Sequence, residues 1–232
     1  MSKLDVLAIG AHPDDIEIGM GATIAKWVEE GKKVGVCSLT YAELSSNGTV
    51  ELRQEEAKQA ARILGVNSLL QLDFSDRGLK KYNKEQFDQV VDLIRCYQPR
   101  LVFAPYWVDR HPDHSDCFEI VKEAIFNAGI RHYQTTNHFE NHRVEQFYTY
   151  FINGTHRPDF VLDVSAFYEK KMRALHAYQS QFQKTTDEAV DTPLTNGYVK
   201  AVEARDTLFG HEVGVPYAEG FKALKPLKID TL

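Results

Sequence analysis

Short apolar runs alternate with amphipathic stretches along the first half of the chain, and this alternation constrains the fold more than any other feature. Strands are predicted at residues 6–11, 33–40, 68–73 and 100–106, and helices at 17–31, 51–65, 84–99 and 114–129. β-α units repeated in this way predict a parallel sheet covered by helices on both faces. We therefore expect an α/β fold, Rossmann-like, with a mostly parallel sheet.

The second half of the chain is less regular. Further strands are predicted at residues 144–152 and 159–165, and helices at 167–182 and 195–210, with a polar loop at 127–146. The sequence contains no internal repeat, low-complexity segment or linker, and its 232 residues suit one sizeable α/β domain. We therefore predict a single domain over residues 1–232.

Composition restricts the partners and the location of the protein. The formal net charge of -6 disfavours general binding of nucleic acid or an anionic membrane. No run reaches the roughly 18 to 20 apolar residues of a membrane span, and the short apolar run at the N-terminus lacks the features of a signal peptide. The three isolated cysteines suggest reduced thiols rather than disulfides or a thiolate metal site. We expect a cytoplasmic protein without nucleic-acid or membrane partners.

Two polar clusters follow predicted strands. The first strand runs into the sequence AHPDD, residues 11–15, and the fourth is followed by YWVDRHPDH, residues 106–114. Ligands of open α/β sheets bind at the carboxyl ends of the strands. If the first and fourth strands are neighbours, the two clusters face each other. We therefore expect the active site at this edge of the sheet.

The residue types of the two clusters suit a metal ion. Imidazole and carboxylate groups bind zinc and other first-row divalent ions, and the proline of each cluster restrains the residue before it. A helix cap is the alternative for either cluster alone, because aspartate caps helix N-termini. A phosphate-binding glycine loop does not fit, because His-Pro-Asp-Asp stands where such a loop would begin.

Five segments of the chain resemble the PIG-L/LmbE-like metal-dependent N-deacetylases. They are AHPDD, HPDH, the helix ELRQEEAKQAARILGV, the segment ALHAYQSQF and the sequence YAEGF near the C-terminus. The compact length and the forms YWVDRHPDH and AELSSNGT resemble the N-acetylglucosaminyl-malate deacetylases of bacillithiol biosynthesis. The resemblance implies a hydrolase that removes acetyl from an N-acetylglucosamine conjugate, N-acetyl-α-D-glucosaminyl L-malate in the first place. It also implies a homo-oligomer, of which a hexamer is one form.

The resemblance implies a role for each of several residues. The implied metal ligands are His12, Asp15 and His114; the implied catalytic residues are Asp14, His111, Asp113 and Arg110; the implied substrate-binding residues include Gln181. Asp14 would be the general base, His111 a general acid or oxyanion stabiliser, and Asp113 would orient a histidine. Some family members have a tyrosine two residues before HPDH to polarise the carbonyl. Asp109 occupies that position in this chain, so the carbonyl must be polarised by Arg110, by His111 or by a tyrosine from another part of the chain.

The residue types also suggest a mechanism and a metal. Three protein ligands on zinc leave a position for water, whose pKa falls towards about 7. Zn²⁺ is the first expectation, and Fe²⁺, Mn²⁺ and Co²⁺ suit the same ligands. Arginine forks suit carboxylates, so Arg53 could hold an anionic aglycone such as malate. The alternative for Arg53 is a surface pair with Glu56 on the same helix.

Other functions remain open at this level. Chitobiose and an inositol conjugate of N-acetylglucosamine are alternative substrates for a deacetylase. Two histidines and one carboxylate also form the iron site of non-haem oxygenases. A metal- or sugar-binding module without catalytic activity would carry the same residues.

Overall fold

In the computed structural model, which describes residues 3–184 and 187–228, seven strands form one sheet. The strands are β1 (Val6–Gly10), β2 (Val34–Thr40), β3 (Ser68–Phe74), β4 (Leu101–Pro105), β5 (Gln146–Tyr150), β6 (Phe160–Asp163) and β7 (Ala218–Ala223). The helices are α1 (Asp15–Glu29), α2 (Val50–Leu64), α3 (Lys84–Tyr97), α4 (Pro112–Ala128), α5 (Tyr168–Ala177), α6 (Gln179–Phe182) and α7 (Tyr198–Val213), with a 3-10 turn at Ser165–Phe167. The predicted single domain includes residues 1–2, 185–186 and 229–232, which lie outside the described residues, and it stays a prediction.

The strand order is β3-β2-β1-β4-β5-β7-β6. The first five strands in this order pair in parallel, whereas β7 pairs antiparallel with both β5 and β6. The predicted α/β class with a mostly parallel sheet is therefore confirmed. Strand β7 was not predicted, and the predicted helix at 167–182 is interrupted at Tyr178, which separates α5 from α6.

Helices cover both faces of the sheet, and an apolar core lies between the helices and the sheet on each face. One core lies under α1, α2 and α5, and the other lies under α3 and α4. All residues of β1 and β2 are buried, as expected for strands covered on both sides. Among the described residues, no helix combines the length and the apolar content that a membrane crossing requires.

Local sequence signals explain where several helices begin and end. The Thr49 hydroxyl accepts a hydrogen bond from the Leu52 amide at the start of α2, and Asn83 accepts from two amides at the start of α3. Gly65 ends α2 with a φ of 78°, a conformation that glycine adopts readily. These signals support the helices predicted at 51–65 and 84–99.

Candidate active site

The two polar clusters meet at the carboxyl ends of β1 and β4. These strands pair directly, with Val6 opposite Leu101. Helix α1 leaves β1 towards one face of the sheet, and α4 follows β4 towards the other face. The two connections therefore diverge and leave a crevice between them, which is where open α/β sheets bind their ligands.

The turn between β1 and α1 has an unusual backbone. Asp14 occupies the N-cap position of α1 with a φ of 100°, and its side chain makes no capping hydrogen bond. The Asp15 carboxylate instead accepts a 2.9 Å hydrogen bond from the His12 amide through Oδ2. The helix-cap alternative for AHPDD is therefore wrong for Asp14, because its side chain does not cap α1 although its backbone is strained.

Three histidines and one carboxylate converge in the crevice. One ring nitrogen of each of His12, His111 and His114 lies within 4.8 Å of the others. Asp15 contacts two of these rings, because Oδ2 lies 3.6 Å from His12 Nδ1 and Oδ1 lies 3.1 Å from His114 Nε2. Each Asp15 oxygen thus contacts a different ring, and two imidazoles and a carboxylate are donors of the kind that a three-ligand metal site uses.

Carboxylates face the outer nitrogens of two of these rings. His12 Nε2 lies 3.3 Å from Asp76 Oδ1 and 3.5 Å from Asp113 Oδ2. His114 Nδ1 lies 3.0 Å from Asp109 Oδ1, although the angle is not that of a hydrogen bond. Histidines that bind metals usually present their second nitrogen to a carboxylate, which fixes the ring and its tautomer. His12 and His114 both have this arrangement.

The charge balance of the crevice also favours a cation. Five carboxylates surround the histidines, those of Asp14, Asp15, Asp76, Asp109 and Asp113, and the paired cations are Arg53 and Arg77. Burial opposes a charge on His114, but Asp15 and Asp109 outweigh it and raise the pKa of His114 to about 9. Burial also opposes a charge on His12, but the carboxylates of Asp113, Asp15 and Asp76 raise its pKa well above the usual value. A bound divalent ion would supply this positive charge in place of protons.

Asp14 is buried beside this donor set without belonging to it. Its Oδ2 lies 3.0 Å from Arg53 Nη2, although this oxygen makes no hydrogen bond in the described structure. Burial raises the pKa of Asp14 to about 6, against the lowering effect of Arg53. A carboxyl group that titrates near neutral pH is suited to transfer a proton.

His111 occupies a different position from the other two histidines. It is the N-cap of α4, and its Nδ1 accepts a 3.3 Å hydrogen bond from the Asp113 amide. This acceptor role assigns the ring proton to Nε2 when the imidazole is neutral. Burial and the neighbouring His12 and His114 lower the pKa of His111. The ring is therefore a neutral hydrogen-bond donor near pH 7.

The other predicted site residues line one cavity of about 230 Å³ with the histidines. Arg110 lies at its rim with an exposed side chain. Gln181 is buried and donates hydrogen bonds to the Asn47 carbonyl oxygen and to Ser180 Oγ. Tyr198, a tyrosine from another part of the chain, also lines the cavity, and its hydroxyl lies 2.8 Å from the Ile152 carbonyl oxygen.

Arg53 lines the same cavity, and its side chain is buried rather than exposed on the surface of α2. Its guanidinium is buried and donates to the Pro13 carbonyl oxygen through Nε and Nη2 and to Ser45 Oγ through Nη1. These bonds engage part of the guanidinium, and the predicted role of Arg53 in substrate binding stays a prediction. The alternative of a surface pair with Glu56 is wrong, because the Glu56 carboxylate accepts hydrogen bonds from the amide and the hydroxyl of Ser180.

Asp76 and Asp109 face the histidines but were not predicted as site residues. Asp76 follows β3, and Asp109 lies between β4 and α4, where its carboxylate accepts hydrogen bonds from the His111 amide and from Asn153. The position of Asp76 just beyond a strand of the parallel sheet was the available signal.

Comparisons with known proteins show sequence similarity to one family of deacetylases. The family model described as PIG-L, GlcNAc-PI de-N-acetylase, matches residues 7–125. A diacetylchitobiose deacetylase of Thermococcus kodakarensis is 32% identical over 94% of this chain and 82% of its own length. A probable N-acetyl-alpha-D-glucosaminyl L-malate deacetylase of Bacillus anthracis is 25% identical over 85% of this chain and 90% of its own.

Solved structures extend the similarity over the whole fold. A conserved protein of Thermus thermophilus superposes with a TM-score of 0.89 at 37% identity, and the match covers 97% of both chains. The N,N'-diacetylchitobiose deacetylase of Pyrococcus horikoshii superposes with a TM-score of 0.81 at 26% identity, covering 94% of this chain and 83% of its own.

Proposed function

The chain belongs to the PIG-L family, and on this basis we propose that it is a metal-dependent hydrolase that removes the acetyl group from an N-acetylglucosamine conjugate. The observation that carries the proposal is that Asp15 contacts both His12 and His114 beside the buried carboxyl group of Asp14. A hydrolysed amide needs an activated water and a proton acceptor, and these residues can supply both.

We propose that His12 Nδ1, the Asp15 carboxylate and His114 Nε2 hold the ion. The outer carboxylates Asp76, Asp113 and Asp109 support this assignment, because they orient the two rings. A bound divalent ion supplies Lewis-acid chemistry, which polarises the amide carbonyl and lowers the pKa of water. Zn²⁺ is the expected ion, and Fe²⁺, Mn²⁺ and Co²⁺ suit the same donors.

Asp14 would accept the proton of the attacking water. Its pKa of about 6 leaves it ionised at neutral pH, and Arg53 holds both the carboxylate and the preceding backbone. The proton then passes from Asp14 to the nitrogen of the leaving amine as the C–N bond breaks. The products are acetate and a free sugar amine.

His111 would stabilise the oxyanion rather than act as the general acid. Its Nε2–H remains available because Nδ1 accepts from the Asp113 amide, and its lowered pKa disfavours the imidazolium form. A neutral donor aimed at the developing oxyanion is typically worth about 3 to 4 kcal/mol. Arg110 at the rim would act on the aglycone instead.

The aglycone is the least constrained part of the substrate. The resemblance to the malate deacetylases made malate the first expectation, but Arg53 already donates to the Pro13 carbonyl oxygen and to Ser45 Oγ. A malate carboxylate would have to bind the remaining N–H groups of Arg53 or reach Arg110. The cavity wall carries neutral polar groups that suit the hydroxyls of a second sugar, those of Ser45, Ser46, Asn47, Asn153 and Thr192. We therefore favour a neutral conjugate such as diacetylchitobiose over N-acetylglucosaminyl malate.

A substrate panel tests this proposal. Acetate release is measured for N-acetylglucosamine, its malate conjugate, its inositol conjugate and diacetylchitobiose. We expect the highest kcat/KM with diacetylchitobiose. Higher activity on the malate conjugate would reverse the choice of aglycone. Metal-dependent oxygen consumption without acetate release would instead indicate an iron oxygenase, and metal binding without any turnover would indicate a binding module.

The assembly and location expected from the sequence stay predictions. A homo-oligomer, such as a hexamer, is supported by an apolar groove between α4, β5 and the segment after β7, where the Phe126 side chain is 71% exposed. Light scattering tests the assembly, and cell fractionation tests the cytoplasmic location.

A further inference from the structure

Helix α1, which begins at Asp15, is interrupted after little more than one turn. Met20 has a φ of -151° and a ψ of 24°, which are not helical. The interruption separates residues 15–19 from the longer segment at 21–29. Because helix nucleation is unfavourable, a single turn is not stable alone. Contacts at the ends of this turn must therefore fix the position of the Asp15 carboxylate.

Glu219 of β7 caps the segment that follows the interruption. Its Oε1 accepts a 3.1 Å hydrogen bond from the Ala22 amide, and its Oε2 accepts a 2.7 Å hydrogen bond from the Thr23 amide. The first amides of a helix lack partners within the helix, and a negative charge at that end is favourable. Glu219 therefore stabilises a helix that starts again at this point.

Arg205 of α7 holds the other side of the interruption. Its Nη2 donates a 2.8 Å hydrogen bond to the Ile18 carbonyl oxygen, and its Nη1 donates to the carbonyl oxygens of Phe151 and Ile152. Ile18 and Ile152 both line the catalytic cavity. One guanidinium thus ties the first turn of α1 to the chain after β5.

This chain segment leads on to the metal site. Asn153 follows Ile152, and its backbone and side-chain amides donate to the Asp109 carboxylate. Asp109 Oδ1 lies 3.0 Å from His114 Nδ1. Arg205 is therefore connected to two of the proposed ligands by chains of contacts. One runs through Ile18 to Asp15, and the other runs through Ile152, Asn153 and Asp109 to His114.

A buried ion network keeps Arg205 and Glu219 in place. Lys171 Nζ lies 2.6 Å from Asp206 Oδ2 and 2.7 Å from Glu219 Oε1, and Asp206 Oδ1 accepts a 3.1 Å hydrogen bond from Arg205 Nε. We name Lys171, Arg205, Asp206 and Glu219 the α1 network. Its two cations and two anions balance, and none of its members is more than 6% exposed. Loss of one buried partner is therefore costly.

We propose that the α1 network is a positioning device for the metal site, in which Arg205 and Glu219 set the first turn of α1 and thereby the Asp15 carboxylate. The inference rests on the proposed function, because it assigns to these residues an effect on the proposed metal ligands. It goes beyond that function, because no member of the network lines the cavity.

The test is cobalt binding by Arg205→Lys, measured by competition with a chelator and by the visible absorption of bound Co²⁺. Lysine keeps the charge beside Asp206, but one ammonium group cannot reach the same three carbonyl oxygens. We expect the Kd for Co²⁺ to rise about 10-fold or more, with an altered cobalt spectrum and a lower kcat. KM should change less than kcat, because the residues that line the cavity are not altered.

Tyr168→Phe is the matched control. The Tyr168 hydroxyl lies 3.3 Å from Asp206 Oδ2, so this variant removes a contact of the α1 network and keeps the ring that packs with Ala22 of α1. We expect a lower Tm with unchanged cobalt affinity and spectrum. If Arg205→Lys does not fold, Glu219→Gln serves instead, because it retains one oxygen for the Thr23 amide, and the same weaker cobalt binding is expected.

A folded variant with a lower Tm but wild-type cobalt affinity and spectrum would overturn the inference and leave the network a purely structural role. The cobalt measurements need no substrate. If wild-type protein binds Co²⁺ but releases no acetate, the proposed function is contradicted. The inference about the α1 network is then still tested by comparing cobalt binding of the variants with that of the wild type.

Discussion

Arg53 Nη2 lies 3.0 Å from Asp14 Oδ2, and the same nitrogen donates a 2.5 Å hydrogen bond to the Pro13 carbonyl oxygen. One guanidinium from α2 therefore holds both the proposed general base and the backbone of the turn that presents it. Both side chains are buried, so the charge of Arg53 acts on Asp14 with little screening by solvent.

The first prediction concerns the pH dependence of activity. Arg53 lowers the pKa of Asp14, so Arg53→Gln should raise that pKa. Because the base must be ionised, the acidic limb of the kcat/KM profile should move to higher pH, by about one unit or more. Arg62→Gln removes the same charge from an exposed position of α2 and should leave the limb in place. An unchanged limb in Arg53→Gln would contradict the proposed link to Asp14.

The second prediction separates catalysis from metal binding. Asp14→Asn should reduce kcat by about 10²- to 10⁴-fold, because the proton acceptor is lost. The metal content of the purified variant, measured by inductively coupled plasma mass spectrometry, should match that of the wild type. Loss of the metal would instead place Asp14 among the ligands.

The third prediction concerns Asp109, which faces the outer nitrogen of His114. Asp109→Asn keeps the size of the side chain and removes its charge, so metal affinity should fall about 10- to 100-fold. Asp116→Asn on α4 is the control, since the Asp116 carboxylate contacts Lys80 at 3.8 Å. Equal metal affinity of the two variants in chelator competition would exclude the orienting role of Asp109.

The fourth prediction concerns protons released on metal binding. In the metal-free protein the pKa of His114 is about 9, so this ring carries a proton at pH 7. The ion binds the neutral ring, so affinity should rise about tenfold per pH unit for each proton displaced, up to about pH 9. Titration calorimetry in two buffers of different ionisation enthalpy measures this release. Binding at pH 7 without proton release would show that His114 is neutral or is not a ligand.

The fifth prediction concerns the close approach of α1 to β5. A Cβ atom added at Gly19 would lie 2.1 Å from Tyr150 Cδ2, and the Tyr150 hydroxyl is anchored to the Ile9 carbonyl oxygen. Gly19→Ala should therefore lower the free energy of unfolding by about 3 kcal/mol or more. At Gly21 the nearest atom is Lys171 Cγ at 3.3 Å, so Gly21→Ala should cost less. Urea unfolding compares the two variants, and equal stabilities would contradict the packing argument.

The sequence was sufficient to predict the parallel part of the fold but not its antiparallel edge. Strands β1, β2 and β4 are mainly apolar, and each of the first four strands is followed by a helix. Strand β7, with the sequence AEGFKA, contains a glycine and two charged residues. It is a strand because it pairs between β5 and β6, a tertiary contact that local propensity does not encode.

The candidate site also contains residues that the sequence predicts and residues that it does not. AHPDD and HPDH were found because their residues are adjacent in sequence and unusual at the ends of strands. Asp76 is a single aspartate in an ordinary loop, and folding alone places it beside His12. Arg53 was predicted to bind the substrate, with an exposed pair with Glu56 as the alternative. The alternative is wrong because both side chains are buried with other partners, which their spacing on the helix does not reveal.

The measurement that most directly tests the account is the stoichiometry of products from diacetylchitobiose, with metal-loaded, metal-stripped and Asp14→Asn protein compared at the same concentration. The account predicts one acetate and one new primary amine per turnover in the metal-loaded protein, with neither product above background in the stripped protein and turnover by Asp14→Asn reduced at least about 10²-fold. Equal turnover in the stripped protein, or no acetate from any of the four compounds of the substrate panel in the loaded protein, would contradict this mechanism.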